Sequence, residues 1–129
     1  MVDASVFVAA LDARDARHRE SVDFLAEAAA RRRPLLAPAI APVEVACAVA
    51  RRSGSSRAGA DARDALLAHP YLAIVPLDAE LLALATDLGC THRLRAADAI
   101  YAATARATSA SLVTWDRELV ACGAGEEPG

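Results

Sequence analysis

The fold is indicated most clearly by PLLAPAIAPVEVACAVA, the stretch that runs from Pro34 to Ala50. Its first part, 35–37, is a short apolar run, which is typical of a buried parallel strand. Pro42 then fits the first turn of a helix that continues to about Arg52. A buried strand that leads directly into a helix predicts an α/β fold.

The rest of the chain alternates in the same way. Apolar runs at 72–75 and 111–113, and a very short one that begins at Val2, predict further strands. Helices are predicted at 5–11, 14–31, 42–52, 57–68, 79–88, 95–107 and 117–121. Ser5 would cap the first of these helices, and Gly89 would end the fifth. This alternation predicts a three-layer α/β/α sandwich around a central, mainly parallel sheet of four to five strands.

Length and composition indicate one small domain. The chain has 129 residues, of which we assign 1–122 to the domain and 123–129 to a disordered tail. No apolar run approaches the ~20 residues of a membrane span, and no signal peptide is recognised, so we expect a cytoplasmic protein without membrane association. The net charge of −3 excludes a polycation that coats nucleic acid through bulk charge.

The three cysteines, Cys47, Cys90 and Cys122, are widely spaced. Because no Cys-x-x-Cys pair and no histidine cluster accompanies them, neither a disulfide framework nor a zinc site is supported. We predict that they are small apolar fillers of the interior.

Four carboxylates stand at the ends of apolar segments: Asp3, Glu44, Asp98 and Asp116. Asp3 and Asp116 follow predicted strands, whereas Glu44 and Asp98 fall in the first turns of helices, where the helix dipole favours negative charge. All four can therefore lie at one rim of the sheet. Buried ionised carboxylates need compensation, and one shared hard divalent cation would supply it, which points to metal-assisted phosphodiester chemistry. The alternative for each of them is a helix cap or a first-turn carboxylate.

The order and context of these motifs resemble the PIN-domain nucleases, in particular the VapC-type toxins of bacterial toxin–antitoxin pairs. The matching segments are Val2-Asp3-Ala4-Ser5-Val6, Pro42-Val43-Glu44-Val45, Ala97-Asp98-Ala99-Ile100-Tyr101-Ala102-Ala103 and Leu112-Val113-Thr114-Trp115-Asp116. The resemblance extends from Asp3 to about Leu119. The chain departs from it in having only two residues before Asp3 and no convincing final strand.

The resemblance implies an endoribonuclease that depends on Mg²⁺ or Mn²⁺ and cleaves RNA phosphodiester bonds by metal-activated water, leaving a 3′-hydroxyl and a 5′-phosphate. The implied catalytic residues, which are also the metal ligands, are Asp3, Glu44, Asp98 and Asp116, and the implied pocket hydroxyls are Ser5 and Thr114. The implied partners are the RNA substrate and a cognate antitoxin. In this family the antitoxin tail lies in a groove between helices, and a basic side chain often reaches the acidic pocket.

Arginine supplies all 14 basic residues of the chain. Arg51, Arg52 and Arg57 flank a Ser/Gly loop and are candidates for contacts with phosphate or with the antitoxin. Arg95 lies one turn before Asp98 and could face the pocket or the solvent. For each of these arginines the alternative is a solvated surface cation. For Trp115, packing is favoured over base stacking.

Alanine makes up roughly a quarter of the residues and aromatic residues only 4%, so a monomer would be marginally stable and we expect a homodimer. The apolar stripe of the 14–31 helix and the segment 51–63 are our candidates for the antitoxin groove. Two other functions stay open at this point. One is a stand-alone PIN-type RNA or DNA nuclease, and the other is a non-catalytic interaction domain with a vestigial acidic pocket.

Overall fold

The computed structural model describes residues 1–121 and 123–129. Within these residues, seven α-helices surround a small parallel β-sheet. The elements are, in chain order, α1 (Ala4–Leu11), α2 (His18–Ala30), β1 (Leu35–Pro38), α3 (Ala41–Ser53), α4 (Ser56–Leu67), β2 (Leu72–Val75), α5 (Ala79–His92), α6 (Ala96–Ala107) and α7 (Arg117–Ala121). None of these helices is both long and apolar enough to cross a membrane.

The sheet is smaller than the sequence predicts. Strands β1 and β2 pair in parallel with Leu35 opposite Leu72, and within the described residues they are the only two strands of the sheet. The prediction of four to five strands is therefore wrong. Single parallel bridges, from Val2 to Val113 and from Val113 to Glu126, continue the hydrogen bonding, and the Val2 amide donates to the Leu36 carbonyl at 2.8 Å.

Early chain reversals explain why these outer segments stay so short. Residue 2 can form only one bridge because α1 begins at Ala4, with the Asp3 side chain as its cap. After Val113 the chain turns at once, since the Thr114 hydroxyl accepts the Asp116 amide at 2.9 Å and α7 begins at Arg117. These extended segments are too short to form several consecutive hydrogen bonds with a neighbouring strand, so each forms an isolated bridge instead of a strand.

Part of the segment that we predict as a tail contacts this edge of the sheet. The Glu126 amide donates to the Leu112 carbonyl at 2.7 Å, and the Thr114 amide donates to the Glu126 carbonyl at 2.9 Å. Gly125 lies so close to Thr114 that a Cβ built on it would stand 2.6 Å from the threonine methyl group.

Two predicted helix starts are corrected by local side-chain hydrogen bonds. Asp3, and not Ser5, caps α1. The second helix begins at His18 instead of about residue 14, because the preceding loop is held in turns. In that loop the Asp12 carboxylate accepts the Arg14 amide, and the Asp15 carboxylate accepts the Arg17 amide.

The fifth helix is longer than predicted, since it passes through Gly89 and ends at His92, with Arg93 in the left-handed conformation as its cap. Gly89 serves packing instead of termination. A Cβ at this position would lie 3.1 Å from the Cβ of Ala99, so the glycine lets α5 approach α6 closely.

The core consists mainly of small aliphatic side chains. Its larger cluster gathers residues from α1, α3, α6 and the sheet around Tyr101, and a smaller cluster fills the contact between α5 and α6. Cys47 and Cys90 are exposed free thiols, so the prediction that they fill the interior is wrong. Cys122 lies outside the described residues.

Candidate active site

A cavity of about 510 Å³ opens beside the sheet, and its wall contains all four carboxylates that the sequence singles out: Asp3, Glu44, Asp98 and Asp116. Each comes from a different part of the chain. Asp3 caps α1, Glu44 and Asp98 lie in the first turns of α3 and α6, and Asp116 immediately precedes α7. Helix amino termini therefore meet at the cavity, where their dipoles partly offset the negative charge.

The Asp3 carboxylate is held firmly at the base of this group. Its side chain is buried, at 7% exposure, and one oxygen, Oδ2, receives several donors. The Thr114 hydroxyl donates to it at 2.9 Å, the Ser5 amide donates at 3.2 Å, and the Ser5 hydroxyl donates as well. The two hydroxyls that the family resemblance implies thus contact the first acid and fix its orientation.

Asp116 occupies a tight turn that the same hydroxyls support. Its amide donates to the Thr114 hydroxyl, and the amide of Trp115 donates to the Ser5 hydroxyl at 3.0 Å. Its Oδ1 atom accepts the Glu118 amide at 2.7 Å and so caps α7. Asp116 therefore combines the cap role, which sequence reasoning considered as the alternative, with a position in the cavity wall.

Glu44 and Asp98 are in a different electrostatic state. Burial raises the pKa of Glu44 most, and the Asp3 and Asp98 charges raise it further against the opposing effect of a Tyr101 hydrogen bond. Burial also raises the pKa of Asp98, with added repulsion from Asp116 and Asp3. One buried oxygen of each, Glu44 Oε2 and Asp98 Oδ2, has no hydrogen-bond partner among residues 1–121 and 123–129. Such atoms are costly to bury, so this half of the site favours a cation.

Tyr101 links the acids to the core. It is fully buried, its hydroxyl accepts the Ala4 amide at 3.2 Å, and the same hydroxyl acts on Glu44 to lower the pKa of that carboxyl. Burial, followed by the Glu44 charge, raises the pKa of Tyr101 far above its usual range. The phenol therefore stays protonated and serves as a fixed donor behind Glu44.

The donor set fits a hard divalent cation by its chemistry, because it consists of carboxylate oxygens with hydroxyls behind them. The carboxylates nevertheless do not form a closed set of ligands. Within residues 1–121 and 123–129, no three His, Cys, Asp or Glu side chains are arranged so that they could hold a metal ion together. The two unpartnered oxygens and the mutual repulsion of the acids are the features that an ion would satisfy.

The predicted arginines divide into two pairs. Arg51 and Arg52 line the cavity, and Arg52 also donates to Asp15 at 3.0 Å. Arg57 lies outside the cavity wall with its side chain 91% exposed, facing Asp61 at 3.9 Å. Arg95 is also exposed and stands 4.0 Å from Glu118, although its charge lowers the pKa of Asp98.

Sequence reasoning missed one cation in the cavity wall, Arg17. Its guanidinium carbon lies 4.5 Å from the centroid of the Trp115 ring. Trp115 itself packs, as favoured from the sequence, with its indole N–H donating to the Ser21 hydroxyl at 2.8 Å. Its position in a polar loop next to Asp15 could have indicated a role for Arg17. The sequence instead predicted a helix from residue 14, which placed Arg17 within a helix.

Comparison with known proteins agrees with this architecture. The sequence matches the family model of the PIN domain over residues 1–123, so the chain belongs to the PIN domain family. Its structure is similar to the crystal structure of VapC20 from Mycobacterium tuberculosis, described as a toxin that cleaves the sarcin–ricin loop. The TM-score is 0.77 at 23% sequence identity, and the match covers 95% of this chain and 93% of that chain. None of the curated proteins matches the sequence.

The family match confirms the predicted resemblance to PIN-domain proteins. The structural likeness confirms an α/β fold of the PIN type, with the smaller sheet described above.

Proposed function

We propose that this protein is a Mg²⁺- or Mn²⁺-dependent endoribonuclease and the toxin of a toxin–antitoxin pair. The observation that carries the proposal is that two buried carboxylate oxygens, on Glu44 and Asp98, find no partner in the described part of the chain and lie in one cavity with Asp3 and Asp116. A cavity that only stabilised the fold would pair these atoms with donors. Membership of the PIN domain family and the likeness to an RNA-cleaving toxin support the same conclusion.

In this proposal the ion would be held by Asp3, Glu44, Asp98 and Asp116, whose side chains would have to move together to do so, because the described residues do not arrange them as a closed set of ligands. A bound divalent ion supplies Lewis-acid stabilisation of the charge that develops on the scissile phosphate, and it activates water as the nucleophile. The protein contributes preorganisation. Ser5 and Thr114 orient the Asp3 carboxylate, and the Tyr101 phenol orients Glu44, so few groups need to rearrange when substrate arrives.

The proposed partners follow from the surface as well as from the relatives. The proposed substrate is RNA, which the acidic cavity would meet through its phosphates. Among the residues that the structure describes, the exposed large apolar side chains are Leu11, Val22, Val43, Leu67 and Leu82. They lie on five different helices. We assign Val22, on the α2 stripe that is predicted as part of the antitoxin groove, to the antitoxin contact, and we propose that a second copy of the chain covers part of the rest.

The test is an RNA cleavage assay with three proteins. The wild-type chain, Asp98→Asn and Asp61→Asn are each incubated with total bacterial RNA and Mg²⁺, and the ends of the products are sequenced. Asp61 is the matched control because it is an exposed carboxylate on α4, outside the cavity wall. Cleavage at defined sites by wild type and Asp61→Asn, and none by Asp98→Asn or in EDTA, is the expected result.

Equal cleavage by all three proteins would show a contaminating nuclease and remove the proposal. Absence of cleavage by the wild type on RNA, together with cleavage of DNA, would favour the stand-alone DNA nuclease instead.

A further inference from the structure

Arg17 is part of the wall of the acidic cavity, and its side chain is partly exposed. It precedes α2 in the loop that leads from α1, and its guanidinium lies over the ring of Trp115 at 4.5 Å. A guanidinium held over an indole by a cation–π contact can keep the N–H donors that point away from the ring free for other partners. Stacking therefore orients this cation without using up its hydrogen-bonding capacity.

Trp115 is itself anchored to the acid cluster. Its amide donates to the Ser5 hydroxyl at 3.0 Å, and its indole N–H donates at 2.8 Å to Ser21, which is completely buried. Because the Ser5 hydroxyl also donates to Asp3, the backbone amide of Trp115 and the first acid share one hydrogen-bond network. The position of Arg17 relative to the carboxylates is therefore set by the fold.

The loop that carries Arg17 is held in place by hydrogen bonds to the Asp15 carboxylate. Oδ1 of Asp15 accepts the Arg17 amide at 2.9 Å, while Oδ2 accepts Nη1 of Arg52 at 3.0 Å. Arg52 also faces Asp12 at 3.6 Å. The charge of Arg52 is thus used within the protein, where it connects α3 to the loop between α1 and α2.

The charge of Arg17 is not used in this way. Its nearest carboxylates, on Glu20 and Glu127, lie at 3.8 and 4.0 Å and are about half exposed. Exposed pairs at such distances contribute little and exchange readily with solvent. A nucleic acid backbone is repelled by the four acids, so a cation at the rim lowers the cost of bringing a phosphate to them.

We infer that Arg17, oriented by Trp115, binds a phosphate of single-stranded RNA next to the bond that is cut. This inference rests on the ribonuclease function proposed above and adds a substrate-binding residue to it. The contact is made to the backbone, so it contributes affinity and register but no sequence preference.

The test measures RNA binding in the Asp98→Asn background, in which the RNA is expected to stay intact. A short, end-labelled single-stranded RNA of mixed sequence is titrated at constant Mg²⁺ over a series of KCl concentrations, and its anisotropy is followed. The added variants are Arg17→Met, Arg17→Lys and, as the matched control, Arg31→Met. Arg31 is an exposed arginine paired with Glu27 on the same helix region, outside the cavity wall. Thermal unfolding confirms that each variant is folded.

Arg17→Met is expected to weaken RNA binding by about tenfold, the loss of one charged hydrogen-bonding contact. It should also reduce the slope of log affinity against log salt by about 0.7, which corresponds to one phosphate contact on a single strand. Arg17→Lys should restore the slope but only part of the affinity, and Arg31→Met should change neither. A purely structural role for Arg17 would not alter the salt slope.

The chain has one tryptophan, so fluorescence excited at wavelengths that tyrosine does not absorb reports on Trp115 alone. RNA should change its emission in the parent and in Arg31→Met, and much less in Arg17→Met. Equal affinity and slope for Arg17→Met and Arg31→Met, with RNA cleavage intact in the protein that retains Asp98, would overturn the inference and leave the proposed function standing. Absence of both RNA binding and cleavage would overturn both.

Discussion

Thr114 donates a hydrogen bond from its hydroxyl to Oδ2 of Asp3 at 2.9 Å, across 111 residues of sequence. Both residues are buried, and both stand where an extended segment ends. The same hydroxyl accepts the Asp116 amide, so one oxygen connects two members of the acidic group. This bond therefore belongs to the fold and to the site at once.

Replacement of Thr114 by valine should weaken both the fold and the acidic site. Because valine has nearly the same shape, it removes the hydroxyl without a cavity and leaves a buried amide and a carboxylate with fewer partners. We expect a loss of about 1 to 3 kcal/mol in the free energy of unfolding, together with slower RNA cleavage. Denaturant unfolding and cleavage assays measure these effects.

Thr104→Val is the matched control for that substitution. Thr104 is also fully buried, but its hydroxyl donates to the Ile100 carbonyl within α6, away from the acids. Its replacement should leave cleavage unchanged. Similar loss of cleavage in both variants would show that Thr114 acts through stability alone.

Asp98→Asn should stabilise the protein in EDTA at neutral pH. Burial and the Asp116 and Asp3 charges raise the pKa of Asp98 above its ordinary 3.8, so the folded state binds the proton more tightly than the unfolded state. Stability from this group is present at low pH and is lost as the pH rises from the ordinary value through the raised one. Asparagine removes that loss.

The measurement is the melting temperature of the metal-free protein as a function of pH. The increase in melting temperature of Asp98→Asn over wild type should grow as the pH rises, and the difference should shrink when Mg²⁺ is added to the wild type. Asp61→Asn, at an exposed site, should show neither effect. A lower melting temperature for Asp98→Asn at neutral pH would contradict the repulsion that we infer.

Gly59→Ala should destabilise the contact between α3 and α4. A Cβ at this position would lie 2.5 Å from the Ala46 carbonyl oxygen and 2.9 Å from the Ala50 Cβ, so the helices would have to separate. We expect a cost of about 1 to 3 kcal/mol, as for other overpacked cores. Gly129→Ala, which meets nothing within 4 Å, is the control in thermal unfolding. An unchanged melting temperature for Gly59→Ala would mean that the two helices pack less closely.

Inhibition by an antitoxin should weaken as Mg²⁺ rises. In the resembled family a basic antitoxin side chain often reaches the acidic pocket, where it would compensate the carboxylates in place of the ion. Cleavage is measured with a fixed amount of antitoxin across a magnesium series. Inhibition that persists at saturating Mg²⁺ would mean that the antitoxin only blocks access of RNA.

The strands and helices that form around clear apolar patterns were predictable from the sequence. Strand β2 and helix α7 begin and end where predicted, because each is bounded by residues that interrupt its pattern. The number of strands in the sheet was overestimated, because the predicted segments at both edges form only bridges. An apolar run such as 111–113 predicts extended backbone, but its length as a strand depends on where Asp3 and Thr114 turn the chain.

The position of the four acids was also predictable, since each stands at the end of an element that leads to the same edge. The difference in hydrogen bonding between the four carboxylates was not predictable. Asp3 receives hydroxyl donors, whereas Asp98 has a buried oxygen without a partner, and only the fold decides which carboxylate meets which donor. For this reason Asp3→Asn should lose native hydrogen bonds, while Asp98→Asn should relieve repulsion. Arg17 lies in a loop for which helix propensity alone predicts a helix, so its place in the cavity wall was not predicted from the sequence.

Asp3, Glu44, Asp98 and Asp116 should together hold a divalent cation, and calorimetric titration with Mn²⁺ measures this binding. Wild type and Asp61→Asn should bind Mn²⁺ with equal affinity, and Asp98→Asn should bind at least about tenfold more weakly. Binding should also release protons near the raised pKa of Glu44 and Asp98, because the ion requires both to be ionised. Absence of Mn²⁺ binding by the wild type, or equal binding by Asp98→Asn, would contradict this prediction.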